Sequence, residues 1–234
     1  MSKKTLLISF VLILLVTFWD SSALNTPSQA VVEVAEEQVS ENVVDDTDAD
    51  DGFTISAYDD LMQRIGEEEG QDWLLISSIA YNESRFQNDL VSRSGAIGIM
   101  QIMPIVGKQF NVSKEDIAEP ETNIRLAVML LEKLEAMLKM PASTPQSDRI
   151  SIILASYNGG IGHVFDARRL ARNNGENPNS WEVVARYLRA KADPAVYESE
   201  LVRNGRFTGS KQTEAYVKNV MSRYDYYRKM ARSI

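Results

Sequence analysis

The stretch Ser147-Asp148-Arg149-Ile150-Ser151-Ile152-Ile153-Leu154-Ala155-Ser156-Tyr157-Asn158-Gly159-Gly160 decides how this chain folds. From Ile150 to Ala155 only Ser151 interrupts the apolar residues, so the segment reads as a helix buried on most of its sides. It opens at Ser147 and stops at Asn158-Gly159-Gly160, a helix-ending sequence because glycine enters the left-handed conformation freely. The sequence on either side is helical as well. Ile124, Ala127, Val128, Leu131, Leu134 and Leu138 recur at steps of three and four after Pro120, with Lys133 and Lys139 toward the C-terminal end. Asp72 is placed to cap a helix carrying Trp73, Leu74, Ile76, Ile79 and Ala80 as far as Glu83. Ser56 is placed to cap one through Ile65 that closes near Gly70. Further helices are expected over 161–172, 180–190 and 194–201, and a last one from about Thr213 to Arg232 through Val217, Val220, Tyr224 and Tyr227. No segment alternates with period two between turn residues, so the expected fold class is all-α.

The chain has 234 residues, enough to bury a substantial core, and its share of apolar residues is 44%. It has no Cys, which excludes a disulfide scaffold, Cys-ligated zinc, iron–sulfur clusters, a thiol nucleophile and a lipoprotein anchor. A single His, His163, excludes a multi-His metal site, and no cofactor or metal is expected. The net charge of −8 argues against nucleic acid as a partner, but it is unevenly spread. Nine acids and no base lie between Glu33 and Asp51, whereas 52–234 carries 23 bases and 23 acids. Lys3 and Lys4 precede the apolar run Leu6 to Trp19, followed by Asp20 and Ser21-Ser22-Ala23. Residues 1–23 therefore read as a secretory signal cleaved after Ala23, or as an uncleaved N-terminal anchor and the one contact with a membrane. Residues 24–52, acidic and without an aromatic residue, read as a disordered linker. The folded body is then 53–234, exported to the periplasm or cell envelope, and not a lipoprotein.

Glu83 stands where an apolar helix ends, between Tyr81 and Phe86. A partly desolvated carboxyl there has its pKa raised toward that of a general acid at neutral pH. Nine residues later comes Ser92-Arg93-Ser94-Gly95-Ala96-Ile97-Gly98-Ile99-Met100-Gln101-Ile102-Met103-Pro104. Its glycines let backbone approach a ligand, and Gln101 offers both a donor and an acceptor. At the end of the buried helix, Tyr157 and Asn158 place a phenol and an amide beside a glycine turn.

Together these segments resemble the catalytic domain of the bacterial lytic transglycosylases of the soluble type, related to goose-type lysozyme. The family motifs appear in order as Glu83-Ser84, Gly98-Ile99-Met100-Gln101, Ser156-Tyr157-Asn158-Gly159-Gly160 and, in the last helix, Tyr216-Val217. The resemblance covers roughly 70–230. It implies a lysozyme-like helical fold acting on the glycan strands of peptidoglycan. The β-1,4 bond between N-acetylmuramic acid and N-acetylglucosamine would be cleaved without water, leaving a 1,6-anhydromuramoyl end. Glu83 would be the sole acid and then base; Ser92, Gln101, Met103, Tyr157, Asn158 and Gln212 would line the cleft, and Tyr216 would close it near Glu83. One departure stands out: Gln212 occupies a position where the family leads one to expect Glu, with Glu214 two residues before Tyr216. A hydrolytic muramidase and a non-catalytic glycan-binding module are the alternatives.

The remaining candidates have plainer readings. His163 is expected to pack or cap, and Arg168, Arg169 and Arg172 to form a solvated helix face. Tyr224, Tyr226 and Tyr227 are expected at the core and rim, and Met129, Met137 and Met140 as core filler.

Overall fold

The computed structural model describes residues 53–233. The expectations for 1–23 and 24–52 lie outside those residues. Among the described residues the secondary structure is helical, in the order α1 (Asp59–Glu69), α2 (Trp73–Ser84), α3 (Pro104–Gln109), α4 (Pro120–Leu138), α5 (Gln146–Gly159), α6 (Ile161–Asn173), α7 (Trp181–Ala190), α8 (Pro194–Tyr197) and α9 (Ser210–Ala231). A single 3₁₀ turn, Asp116–Ala118, precedes α4. The only extended pairings among these residues are isolated bridges of Ile97 with Val91 and Ile102. No helix among them is long and apolar enough to cross a membrane.

The helix α5 is the hub, packed against α4, α6, α7 and α9. Six consecutive residues, Ser151 to Ser156, are buried, which no helix with a solvent face would show. Ser156 meets burial by donating its hydroxyl to the Ile152 carbonyl at 2.8 Å. The apolar stripe of α4, from Ile124 to Leu138, enters the same core as Met62, Ile65, Ile76, Ile79 and Val220. The helix α9 crosses both α2 and α5, and these three helices carry the candidate site.

Several boundaries differ from the sequence reading for identifiable reasons. Asp72 caps α2 as expected, accepting from the Leu74 N–H at 2.9 Å. Ser56 does not cap α1: the Asp59 carboxylate captures the N–H groups of Ile55 and Ser56 and the Ser56 hydroxyl, so the helix starts at Asp59. The helix expected over 194–201 ends at Tyr197. Beyond it, Arg169 takes the Leu201 carbonyl and Asp166 takes the N–H groups of Arg203 and Asn204. Met129 is 37% exposed rather than core filler, whereas Met140 is buried. Tyr224 and Tyr227 are buried and Tyr226 is half exposed, as a core-and-rim reading requires.

Candidate active site

Glu83 is the penultimate residue of α2, where the chain leaves the helix through left-handed backbone at Arg85 (φ 56°) and Phe86 (φ 63°). The preceding residues Ile76 to Ala80 are all buried, so the helix delivers Glu83 directly from the core to its edge. From α9 the Tyr216 hydroxyl donates to Glu83 Oε1 at 2.7 Å. Tyr157, near the end of α5, lies close enough for its phenol to feel the Glu83 charge.

The electrostatics follow from this setting. Burial raises the Glu83 carboxyl from 4.5 to about 7, and the hydrogen bond from Tyr216 pulls the other way without cancelling it. Among the described residues, burial and the Tyr216 hydrogen bond are the two influences on Glu83. The residue is nevertheless only half-buried. Both phenols are raised well above 10, first by burial and then by Glu83, so each is a neutral donor at neutral pH.

The loop between α2 and α3 is pinned to the helices by polar contacts. The Tyr157 hydroxyl donates to the Met100 carbonyl at 2.8 Å, and Ser84 Oγ donates to the Ile99 carbonyl at 2.8 Å. Asn123 of α4, fully buried, accepts from the Met100 N–H at 2.7 Å and donates to the carbonyls of Ile97 and Ile117, both at 2.9 Å. Gly98 is required here: its φ is +77°, and a Cβ would stand 2.6 Å from Asn123 Nδ2. Gln101 also has left-handed backbone (φ 48°), and its Nε2 donates to the carbonyls of Gly98 at 2.9 Å and Leu90 at 3.1 Å.

The sequence-read residues therefore divide. Glu83, Tyr157 and Tyr216 converge, with Gln101 one residue beyond the carbonyl that Tyr157 holds. Gln101 differs from expectation, because both amide hydrogens are spent inside its own loop and its acceptor oxygen remains. Ser92 Oγ closes a turn by accepting from the Ala96 N–H at 2.9 Å. Asn158 is exposed, and its Oδ1 accepts from Thr213 Oγ1 at 3.0 Å, tying α5 to α9. Met103 is the exposed N-cap of α3, and Gln212 is exposed one turn before Tyr216. Among the described residues, no hydrogen bond from Ser92, Met103, Asn158 or Gln212 reaches Glu83.

Sequence reasoning passed over Ser84, Thr213 and Asn123 as working residues. Asn123 had a legible signal: it stands in register with Ala127, Leu131, Leu134 and Leu138, a polar residue on an apolar stripe.

A family model for the transglycosylase SLT domain matches residues 60–180, just over half of the chain. The chain belongs to the transglycosylase SLT domain family. The match takes in Glu83, Gln101, Tyr157 and Asn158, while Tyr216 lies beyond its end. The chain is also similar to "Membrane-bound lytic murein transglycosylase F" of Alcanivorax borkumensis, at 34% identity over 171 residues. The alignment covers 73% of this chain and 35% of that protein. The protein of the same name from Alteromonas mediterranea is 32% identical over 174 residues, covering 74% and 35%. The chain thus spans about a third of the length of these relatives. Among solved structures it is similar to an inactive mutant of the lytic transglycosylase Slt from Pseudomonas aeruginosa (23% identity, TM-score 0.49, covering 74% of this chain and 24% of that one). It is similar also to the 70 kDa soluble lytic transglycosylase SLT70 from Escherichia coli (26% identity, TM-score 0.49, the same coverage).

Two other polar groups in this SLT domain are structural. Asp166, with no exposed surface, accepts from Lys191 Nζ at 2.7 Å, Arg169 Nη1 at 2.8 Å and the N–H groups of Arg203 and Asn204. His163 stacks on Phe207 with ring centroids 4.4 Å apart and meets Lys191 Nζ through Nδ1 at 2.8 Å. Burial, then the Lys191 charge, lowers His163 to about 4, so it accepts from Lys191 as the neutral ring. The expectation of a solvated arginine face on α6 holds for Arg172, which is exposed, and fails for Arg168 and Arg169. Arg168 is buried, donating to the carbonyls of Leu138 and Pro178 and to Asn179 Oδ1, and Arg169 is held by Asp166 and the Leu201 carbonyl. Charge alone misplaced them, because a guanidinium that finds enough acceptors can be buried.

Proposed function

We infer that this SLT domain is a peptidoglycan lytic transglycosylase, cleaving the β-1,4 bond between N-acetylmuramic acid and N-acetylglucosamine with Glu83 as the only acid and base. The observation that carries this reading is a carboxyl raised to about 7, held by Tyr216 and with no second carboxylate among the described residues acting on it. At neutral pH such a group is present in both protonated and ionised forms, and its conjugate base is still basic enough to take a proton. Glu83 donates its proton to the glycosidic oxygen as the bond to the muramoyl C1 breaks. The carboxylate so formed takes the proton of the muramoyl C6 hydroxyl, whose oxygen closes on C1. The 1,6-anhydro ring is complete, Glu83 is protonated again and no water is consumed.

Glycosidases that hydrolyse with retention or inversion ordinarily use two carboxylates, and an intramolecular hydroxyl removes the need for the second. Tyr216 orients the Glu83 carboxyl, and Tyr157 holds the Met100 carbonyl and so the start of the Gln101 segment. Ser92, Gln101, Met103, Asn158 and Gln212 are assigned to the walls of the cleft. Residues 1–23 support export, which puts the domain in the compartment that holds the substrate.

The open side of Glu83 favours one second reading, hydrolysis by a water molecule that yields a reducing muramic end. Mass spectrometry of the fragments released from purified sacculi separates the two. Anhydromuramoyl ends are expected, and hydrated ends alone would make the domain a muramidase. Binding of sacculi without release of fragments would leave it a glycan-binding module.

A further inference from the structure

A polar cavity of about 470 Å³ lies along the same two helices that carry Glu83 and Tyr216. Tyr81, Asn82 and Arg85 line it from the end of α2; Asn219, Arg223 and Tyr226 line it from α9. The guanidinium groups of Arg85 and Arg223 both stack on the Tyr81 ring, at 4.0 and 3.8 Å from its centroid. Stacking fixes the plane of a guanidinium and leaves its N–H edge free to donate. Neither group forms a salt bridge with an Asp or Glu among the described residues, although Arg64, Arg125, Arg149, Arg186 and Arg189 all do. Holding two like charges on one ring without a counter-ion opposes folding, and an anionic ligand would relieve it. Arg85 also occupies a left-handed position that glycine would take without strain.

We propose that Arg85 and Arg223 form a carboxylate-binding site for the stem peptide carried by the muramoyl residue. Resting on the proposed function, it adds a determinant of substrate recognition outside the four sequence motifs. Tyr216, Asn219, Arg223 and Tyr226 follow one another at steps of three and four, so they share one stripe of α9. Arg223 is seven residues past Tyr216, about 10 Å along the helix at 1.5 Å per residue. A peptide leaving the sugar at Glu83 covers about 10 Å with three extended residues. Its carboxylates then meet two guanidinium forks, whose planar donors suit a carboxylate in bidentate geometry. Arg168 and Arg169 of α6 cannot serve this purpose, since both are consumed by internal acceptors.

The test compares two substrates, intact sacculi and glycan strands stripped of peptide by an amidase, using the full chain. Arg223→Gln and Arg85→Gln are each expected to raise KM on intact sacculi about 10-fold, the range of a charge-assisted hydrogen bond, with kcat preserved. KM on stripped strands should stay at the parent value, and Arg223→Lys should recover part of the loss. An equal loss on both substrates, or no loss on either, overturns the proposal. Co-sedimentation with the two kinds of sacculi, read in a Glu83→Gln background, keeps the result independent of cleavage. There the parent pocket should favour intact sacculi about 10-fold over the Arg223→Gln form. If the chain cleaves neither substrate, the functional reading fails while this binding difference still decides the pocket.

Discussion

Glu83 and Asp166 are both carboxyls withdrawn from water, and they end on opposite sides of their ordinary titration range. Glu83 is raised to about 7 because burial is answered by one neutral hydrogen bond, from Tyr216. For Asp166 burial also pushes upward, but Lys191, the Arg203 N–H and Arg169 outweigh it and leave the carboxyl lowered to about 2. Lys191 shows the other side of that pair: burial lowers its ammonium and Asp166 opposes the fall. Burial alone therefore does not make an acid catalyst. A carboxyl satisfied by two cations and two backbone N–H groups is an anionic anchor, whereas one left with a single phenol can hold and release a proton near neutrality.

The sharpest way to break this contrast is to neutralise each carboxyl. Glu83→Gln should reduce release of fragments from sacculi by roughly 10²–10⁴-fold, the contribution of a positioned general acid. Cleavage at the parent rate would remove Glu83 from its assigned role. Asp166→Ala should instead destabilise the fold by roughly 3–5 kcal/mol in urea denaturation, because it strands a buried Lys191. Activity per folded molecule should hold near the parent value.

The pH dependence of stability should run in opposite directions at the two sites. Glu83 is raised in the folded state, so its stabilising effect is complete below 4.5 and is lost as pH rises through 7. Asp166 and His163 are depressed, so their contributions are present above 3.8 and 6.5 and are lost as pH falls through 2 and 4. Glu83→Gln should therefore be more stable than the parent at pH 8 by about 1–3 kcal/mol, with the difference gone by pH 4. Equal urea midpoints at pH 8 would contradict a desolvated Glu83.

A smaller effect is expected from Tyr216→Phe. Losing the hydrogen bond that lowers Glu83 should move the alkaline limb of the pH–rate profile upward by less than about one unit, as befits a bond worth about 1 kcal/mol. A downward shift would mean that Tyr216 does not stabilise the carboxylate. The smallest concerns an exposed carboxylate in place of the two buried ones. Gln212 is the third residue of α9, so Gln212→Glu should favour the helix dipole by about 0.3–1 kcal/mol, read as a small rise in melting temperature. A fall in melting temperature would show that this position meets a negative field.

The candidate site was legible to the extent that it rides on helix ends. Glu83 and Tyr157 were readable because their motifs lie where apolar periodicity stops, whereas Tyr216, the seventh residue of α9, was read only through the family resemblance. Gln101 was read as offering a ligand both its donor and its acceptor, since nothing in one dimension shows which carbonyls its amide will find. Arg168, Arg169 and Asp166 were misjudged or passed over for a related reason. Their partners at Leu138, Pro178, Lys191 and Arg203 are from ten to 37 residues away in the chain.

By itself the sequence determined the all-helical class, the central buried segment after Ser147, the run of motifs and the glycine at 98, because periodicity and backbone restriction are local properties. Only the tertiary structure decided which buried carboxyl is raised and which is lowered, and which arginines are consumed by internal acceptors. Those outcomes depend on how many donors and charges surround each group in three dimensions. Burial raises Glu83, and the hydrogen bond that opposes it comes from Tyr216, 133 residues further along the chain.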